Sequence, residues 1–504
     1  MENNRNMIVA IDISSNSVKV GLITEDLKLV HFYSQDIKII NEDLDGFVKT
    51  FDMDDIWNKV IFGINQVLSR IKNQNTKILG ISTCTQRIAS VFLDKKGKVL
   101  YGGPNIDIRG IDSAYLIEDE FSERDLFNIT GHSPSFLFCL ARLLWYREEK
   151  EEIYEKISKV LMFDDWVIYQ LTGVFVSDFS SAAESQLLNI KKREWSSEIL
   201  HAFDFNPDFF PDLVDPGTLV GDLKSEITKK LHINQRNIPV VKTGGDTQAS
   251  LLGMGVVEQG DIGFSIGTTA PIHLVVDAPI LDPNCNYWTS YHSVKGKWLL
   301  EGHAGNTGAS YNWFKRCFLS NSNDNPDNLM DTYLRKSLPG ALSTYAFLGP
   351  ENMNIKNQTS IKRGVFAFQP PMMIFDELPN IEDFARSVLE NIAFGLYENY
   401  KALSNFVDLD TRTFCAGGMA KSKEFTQLLA NVLDSELSIP LVKDSAFIGI
   451  AMNVLKALNV YSDYKSIIND LITYEKVKSD SNVSQIYKSV YLEWKNLKNK
   501  IDKL

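Results

Sequence analysis

The 504-residue chain is long enough for two or more domains, because a single hydrophobic core stops growing at about 250–300 residues. Its 44% hydrophobic and 23% charged content is that of a globular enzyme, and 64 acids against 52 bases, a net charge of −12 with no basic block, argue against a nucleic-acid footprint or a polybasic membrane patch. Five scattered cysteines lack metal-site spacing and no run approaches a membrane span, so a cytoplasmic protein without nucleic-acid or membrane partners is expected.

The stretch "MIVAIDISSNSVKVGLI", Met7 to Ile23, reads as a strand buried on both faces, a polar tip at Ser14 and Ser15, and a returning strand in which Val18, Val20 and Leu22 alternate. Asp12 lies within the apolar strand, where an unpaired acid is costly and a bound metal ion would account for it. Residues 56–71 predict an amphipathic helix, 78–82 a strand, and 90–93 with 99–101 a hairpin, an alternation that indicates a layered α/β domain. Residues 140–171 read as mostly helical, and the proline-rich stretch from Trp195 to Gly221 as a surface excursion.

"IPVVKTGGDTQASLLGMGVV" then predicts strand, glycine turn and helix. Its Asp246 suits either a plain N-cap or a general base at the C-terminal end of a strand. "GDIGFSIGTTAPIHLVV" reads as strand, polar tip and strand, either an internal repeat of the opening hairpin or an unrelated hairpin with a polar turn. "TRTFCAGGMAKSKEF" gives a strand, a glycine pair and a helix start; "FIGIAMNVLKALNV" gives a helix rich in small residues, and the tail from Tyr461 is polar and helical.

Backbone N–H groups and hydroxyls at tight turns hold phosphate well, and "DISSNSVK", "SIGTT" and "AGGMAKS" offer such turns. None is a Walker loop or a dinucleotide fingerprint, and singly each is also explained as an ordinary turn.

Taken in order, these three stretches together with "GISTCTQRIASVFLD", "FDDWVIYQLTGVFVSDFSSAAESQLLNIKKREWS" and "GGDTQASLLGMGVV" resemble the FGGY carbohydrate kinases from about residue 7 to residue 459. The resemblance implies an α/β protein of two actin-like, ribonuclease H-like ATPase domains with a cleft between them. Residues 1–254 would bind the acceptor, 255–460 the nucleotide, and 461–504 would form a helical tail.

It implies ATP and Mg²⁺ as cofactors and a small sugar or polyol as acceptor, and it allows a homodimer. Asp246 would be the catalytic base and, with Asp12, the metal ligand. Ser14, Ser15, Gly267, Thr268, Thr269, Gly417 and Gly418 would hold the nucleotide, and Gln86, Arg87, Asp107, Asp246 and Gln248 the acceptor. Ser14 and Ser15 replace the family's usual glycine and threonine, and Ile88 replaces a glutamate found in glycerol kinases. Asp107, in "GGPNIDIRG", either shapes the acceptor pocket or pairs internally with Arg109. The competing reading is an actin-like, nucleotide-dependent switch or scaffold with no acceptor.

Overall fold

The computed structural model describes residues 6–71, 76–353, 363–370, 378–407, 412–442 and 444–503. The chain forms two compact units, one from Met1–Val257, Asp277–Leu299 and Val442–Ile472, the other from Glu258–Val276, Leu300–Leu441 and Thr473–Leu504. This differs from the consecutive blocks divided at residues 254 and 460 that the sequence suggests. The helix Ser445–Ala457 packs on Met7–Ile13 and Ile78–Thr85 and so belongs to the first unit, whereas the closing helix Ser481–Ile501 packs on Lys423–Leu433 in the second.

The first unit is built on a six-stranded sheet in the order Leu219–Asp222, Pro239–Gly245, Ile78–Thr85, Met7–Ile13, Ser17–Thr24 and Leu29–Asp36. Pro239–Gly245, Ile78–Thr85 and Met7–Ile13 run parallel, and they are buried on both faces, which is why they read as unbroken apolar runs. Val9, Ile11 and Ile13 join Ile56, Val60 and Ile64 of the helix Met53–Leu68 and Trp166 of the helix Phe163–Thr172 in one core. Period-2 alternation sends Ile8, Ala10 and Asp12 to the other face.

Two stretches differ from expectation. Residues 140–171 hold the helices Cys139–Glu149 and Phe163–Thr172 with a strand, Lys159–Met162, between them, paired antiparallel with Ser90–Leu93. A four-residue apolar run cannot be told from a helical segment by periodicity alone. The proline-rich excursion contributes Leu219–Asp222 to the main sheet through antiparallel pairing with Pro239–Gly245.

In the second unit the strand Asp261–Ser265 pairs antiparallel with Pro271–Val276 and parallel with Arg412–Ala416. Met7–Ile13 has the same relation to Ser17–Thr24 and Ile78–Thr85, so the two hairpins are one topological module used twice.

Two buried features fix the Asp246 segment. The helices Asp246–Met254 and Ser445–Ala457 cross almost backbone to backbone: a Cβ on Gly449 would lie 1.8 Å from the Ala249 carbonyl oxygen, and one on Gly253 would lie 1.9 Å from that of Ser445. Beneath the strand that leads to Asp246, the fully buried Lys242 ammonium contacts Asp164 and lies 2.8 Å from both Asp165 and Asp178. Burial pushes the Lys242 pKa down, and the three carboxylates more than offset it, holding it well above its usual value.

Gly449→Ala is expected to force the helices apart and destabilise the protein by about 1–3 kcal/mol, read as a lower urea midpoint. Lys242→Met leaves three carboxylates buried without their cation and is expected to cost about 3–5 kcal/mol at pH 8, with the deficit shrinking as the pH falls and those carboxyls take up protons.

Candidate active site

The register of the first sheet assembles the site. Asp12 stands opposite Lys19 on the neighbouring antiparallel strand and opposite Cys84 on the parallel one, and Cys84 in turn stands opposite Gly244. Two interstrand spacings, about 10 Å, thus separate the Asp12 and Gly244 backbones at the C-terminal edge of the parallel strands, the edge where open α/β sheets bind ligands. Asp246 follows two residues later.

Asp12 is buried, and the sequence reading of it as an unpaired acid needs correcting: the Lys19 ammonium lies 2.9 Å from Oδ2, and the Cys84 thiol 3.8 Å from Oδ1. Burial pushes the Lys19 pKa down, and Asp12 more than offsets that.

Asp246 is the first residue of its helix. Gly245 occupies the N-cap position, so Asp246 does not fill the N-cap role that the sequence left open, and its carboxylate accepts a hydrogen bond from the Thr247 hydroxyl at 3.3 Å. Burial first and the charge of Asp12 second push its pKa up to about 6, against the opposing pull of Arg87. Asp444, the N-cap of Ser445–Ala457, is likewise raised by burial and by Asp12. Four groups from three distant segments, Asp12 with Lys19, Asp246 and Asp444, therefore share one electrostatic environment.

Gln86, Arg87 and Gln248 surround this edge. The Gln86 side chain accepts from the Asn105 amide (3.1 Å) and donates to the Ser14 carbonyl (3.5 Å), so it braces the first hairpin tip. Arg87 and Gln248 both flank Gly245, where a Cβ would lie 2.6 Å from Gln248 Oε1 and 3.0 Å from Arg87 Cγ. The Arg87 guanidinium pairs with the buried Glu184 at 3.2 Å, and the Ser290 hydroxyl donates to the same Glu184 oxygen at 3.2 Å. Gln248 is fully buried, and neither its oxygen nor its nitrogen has a hydrogen-bond partner among the described residues.

Ile88 has φ +69°, which is strained for a β-branched residue, and its carbonyl is held by the buried Arg142 at 3.0 Å. Arg142 also holds the Asp107 carbonyl at 3.1 Å. The Asp107 carboxylate itself is taken up by Tyr101 Oη at 2.5 Å, Arg109 Nε at 2.6 Å and the Lys49 amide at 3.0 Å. The structure thus places Asp107 in an internal ion pair with Arg109, behind the Arg87 segment.

At the first tip the Ser14 hydroxyl bonds within the turn, to Asn16 Oδ1 at 3.0 Å and Ser17 Oγ at 3.0 Å. Neither Ser14 nor Ser15 has a positive φ, so replacing the family's glycine imposes no backbone strain here.

In the second unit, Gly267, Thr268 and Thr269 form an exposed tip beside the exposed Gly417 and Gly418. Ile266 donates to the Ala416 carbonyl at 2.9 Å, and Gly417, at φ +108°, comes so close that a Cβ would lie 2.4 Å from the Ile266 oxygen. The start of the helix Thr307–Phe318 backs the tip: a Cβ on Gly308 would lie 2.2 Å from the Gly267 oxygen, and the Ala309 amide donates to Thr268 at 3.1 Å. Ser265 Oγ and Thr307 Oγ1 are buried there with no partner among the described residues.

Among the described residues, Asp164, Asp165 and Asp178 lie close enough to share a cation, but the Lys242 ammonium already serves them. Asp12 and Asp246 offer the hard carboxylate oxygens that Mg²⁺ prefers, and burial together with Asp12 already keeps the Asp246 proton on at higher pH. The glycine-lined tips and orphaned hydroxyls of the second unit suit a phosphate chain.

Sequence reasoning missed Lys19, Glu184, Gly308 and Asp444. Lys19 was findable, since a hairpin closing at Ile13 and Val18 sets it opposite Asp12. "GNTGAS" carried a glycine signal for Gly308. Nothing local marks Glu184 or Asp444.

The N-terminal domain model of the FGGY family of carbohydrate kinases matches residues 7–253, and the C-terminal domain model matches residues 263–458. Of curated proteins, "Putative sugar kinase YoaC" of Bacillus subtilis (strain 168) is 28% identical over 433 residues, covering 86% of this chain and 85% of its own length. Autoinducer-2 kinase of Salmonella paratyphi B (strain ATCC BAA-1250 / SPB7) is 25% identical over 457 residues, covering 88% and 85%. The ligand-bound xylulose kinase structure from Lactobacillus acidophilus superposes with a TM-score of 0.87 at 21% identity, covering 99% of this chain and 98% of that one. Both halves of the fold, with the acids and glycine turns where those domains end their parallel strands, lead to one assignment: the chain belongs to the FGGY family of carbohydrate kinases.

Proposed function

We propose that this kinase moves the γ-phosphoryl group of ATP to a hydroxyl of a small sugar or polyol held against Arg87 and Gln248, with Asp246 as the base that accepts the hydroxyl proton. The observation that carries this reading is the place of Asp246: first in its helix rather than at the N-cap position, with its pKa raised to about 6 at the edge that also bears Asp12. A base poised near the working pH is what proton abstraction from an attacking hydroxyl requires.

Ser15 and the tip Gly267, Thr268 and Thr269 would donate to the phosphates, Gly417 and Gly418 would lie against the nucleoside, and Ser14 would keep the first tip closed. Asp12 and Asp246 would hold Mg²⁺, directly or through water, and the ion when bound supplies neutralisation of phosphate charge. A nucleotide switch has no use for a buried, unpartnered glutamine beside a poised carboxylate, and this favours transfer to an acceptor over the scaffold reading.

A coupled ADP-release screen across polyols, ketoses, aldonates and autoinducer precursors tests the proposal. Asp246→Asn is expected to lower kcat on the best acceptor by about 10²–10⁴-fold while ATP affinity stays near the parent's. ADP release indifferent to every acceptor would instead support the switch.

The acid limb of kcat/KM is expected near pH 6, because the base works only when deprotonated. The same group sets a stability signature. With its pKa raised from the ordinary 3.8 to about 6, the folded chain holds a proton the unfolded chain has released, and stability falls as pH rises through that window. Above it the cost is fully present, so Asp246→Asn should stabilise the protein at pH 7.5 by about 1–3 kcal/mol and leave it unchanged near pH 2.5, below both pKa values, as thermal melts at the two pH values would show.

A further inference from the structure

We infer that Glu184 makes the acceptor side of the site select uncharged polyhydroxylated compounds over aldonates and other carboxylates, because it neutralises Arg87. The inference rests on the acceptor role of Arg87 proposed above.

Arg87 is the cation that flanks Gly245 beside Asp246 and Gln248, and it would be the natural partner of a substrate carboxylate. Its charge is already matched: the Glu184 carboxylate, 1% exposed, lies 3.2 Å from the guanidinium and is fixed by the Ser290 hydroxyl. The second Glu184 oxygen has no hydrogen-bond partner among the described residues and lies 4.0 Å from His132 Nε2. His132 packs against Phe138 and Trp288, at ring separations of 5.1 and 5.2 Å.

Lys19, on the same edge, is paired with Asp12. With Arg87 offset by Glu184, Asp246 leaves the acceptor side net negative, which repels an anionic acceptor. What it offers is neutral hydrogen bonding, from both ends of the unpartnered Gln248 amide. Hydroxyl groups, each a donor and an acceptor, match that set, and a carboxylate does not.

Glu184 touches Arg87 and is a positioning residue, so its test is a ratio. Wild-type enzyme is assayed by coupled ADP release on pairs of equal carbon chain, xylitol against xylonate and ribitol against ribonate. The neutral member is expected to have the higher kcat/KM by on the order of tenfold or more. A preference for the aldonate overturns the inference and leaves the kinase reading standing. ADP release with no acceptor of either class, in protein that binds ATP, overturns the acceptor reading beneath it.

Glu184→Gln keeps the shape and removes the charge, and it should narrow the neutral-to-aldonate ratio by about tenfold. Glu184→Asp, which keeps the charge, should retain the wild-type ratio. Equal loss on both members of each pair, with the ratio unchanged in Glu184→Gln, would mean a purely structural role and would overturn the inference. If Glu184→Gln does not fold, the wild-type ratio alone decides.

Discussion

An acid inside a parallel strand is the constraint on which the rest of the first unit turns. Asp12 is tolerable only because the hairpin register sets Lys19 directly across from it, and that register holds only because the strand is pinned between two neighbours with opposite directions. The pair does not settle the account of charge at this edge. Asp246 and Asp444 are both pushed toward their protonated forms, by burial and then by Asp12, and Arg87 is already engaged by Glu184. The folded chain therefore maintains an excess of negative charge where two strand ends meet a helix start, a state that costs stability and that a bound cation would relieve.

Holding such an arrangement takes rigid support. The Asp246 helix is fixed from one side by its contact with Ser445–Ala457, possible only because Gly253 and Gly449 carry no side chains, and from beneath by Lys242 and its three acids. Asp178 Oδ1 reaches Gly244 closely enough that a Cβ there would sit 2.9 Å from it, so the buried ion cluster bears directly on the turn that presents Asp246. Acid and base positions set by packed backbone rather than by flexible loops are those a proton-transfer site can rely on.

What the sequence made legible follows the range of the interactions. Met7–Ile13, Ser17–Thr24, Ile78–Thr85 and Pro239–Gly245 were readable because their patterns are local, and so were the tips at Ser14–Ser15 and Thr268–Thr269. The strand Lys159–Met162 was lost inside a helical reading because four apolar residues have no distinguishable period. The return of Ser445–Ala457 to the first unit was illegible for a different reason: its Gly449 packs on a helix nearly two hundred residues earlier, and no local pattern states that match. Asp107 was readable as part of an Asp–Arg pair but not as buried, because its partners Tyr101 and Lys49 come from separate strands.

The repeated module shows what the ion pair is for. In the first unit Asp12 faces Cys84 on the parallel strand and Lys19 on the antiparallel one. In the second, Ser265 stands two residues before Gly267, as Asp12 stands two before Ser14; it faces Ala416 on the parallel strand, and its hydroxyl is buried with no partner among the described residues. The same strand arrangement is therefore built in the second unit without a charged residue at this position, and a buried ion pair is by itself weak evidence for stability. Fold stability does not explain the charges at Asp12 and Lys19. The unit with the ion pair also carries the carboxylate of Asp246 with its raised pKa and the unpartnered Gln248, whereas the second unit presents exposed glycines and threonines of the kind that hold a phosphate chain through backbone N–H and hydroxyl donors. The two strand edges are alike in their pairing and differ in the chemistry of the residues they present.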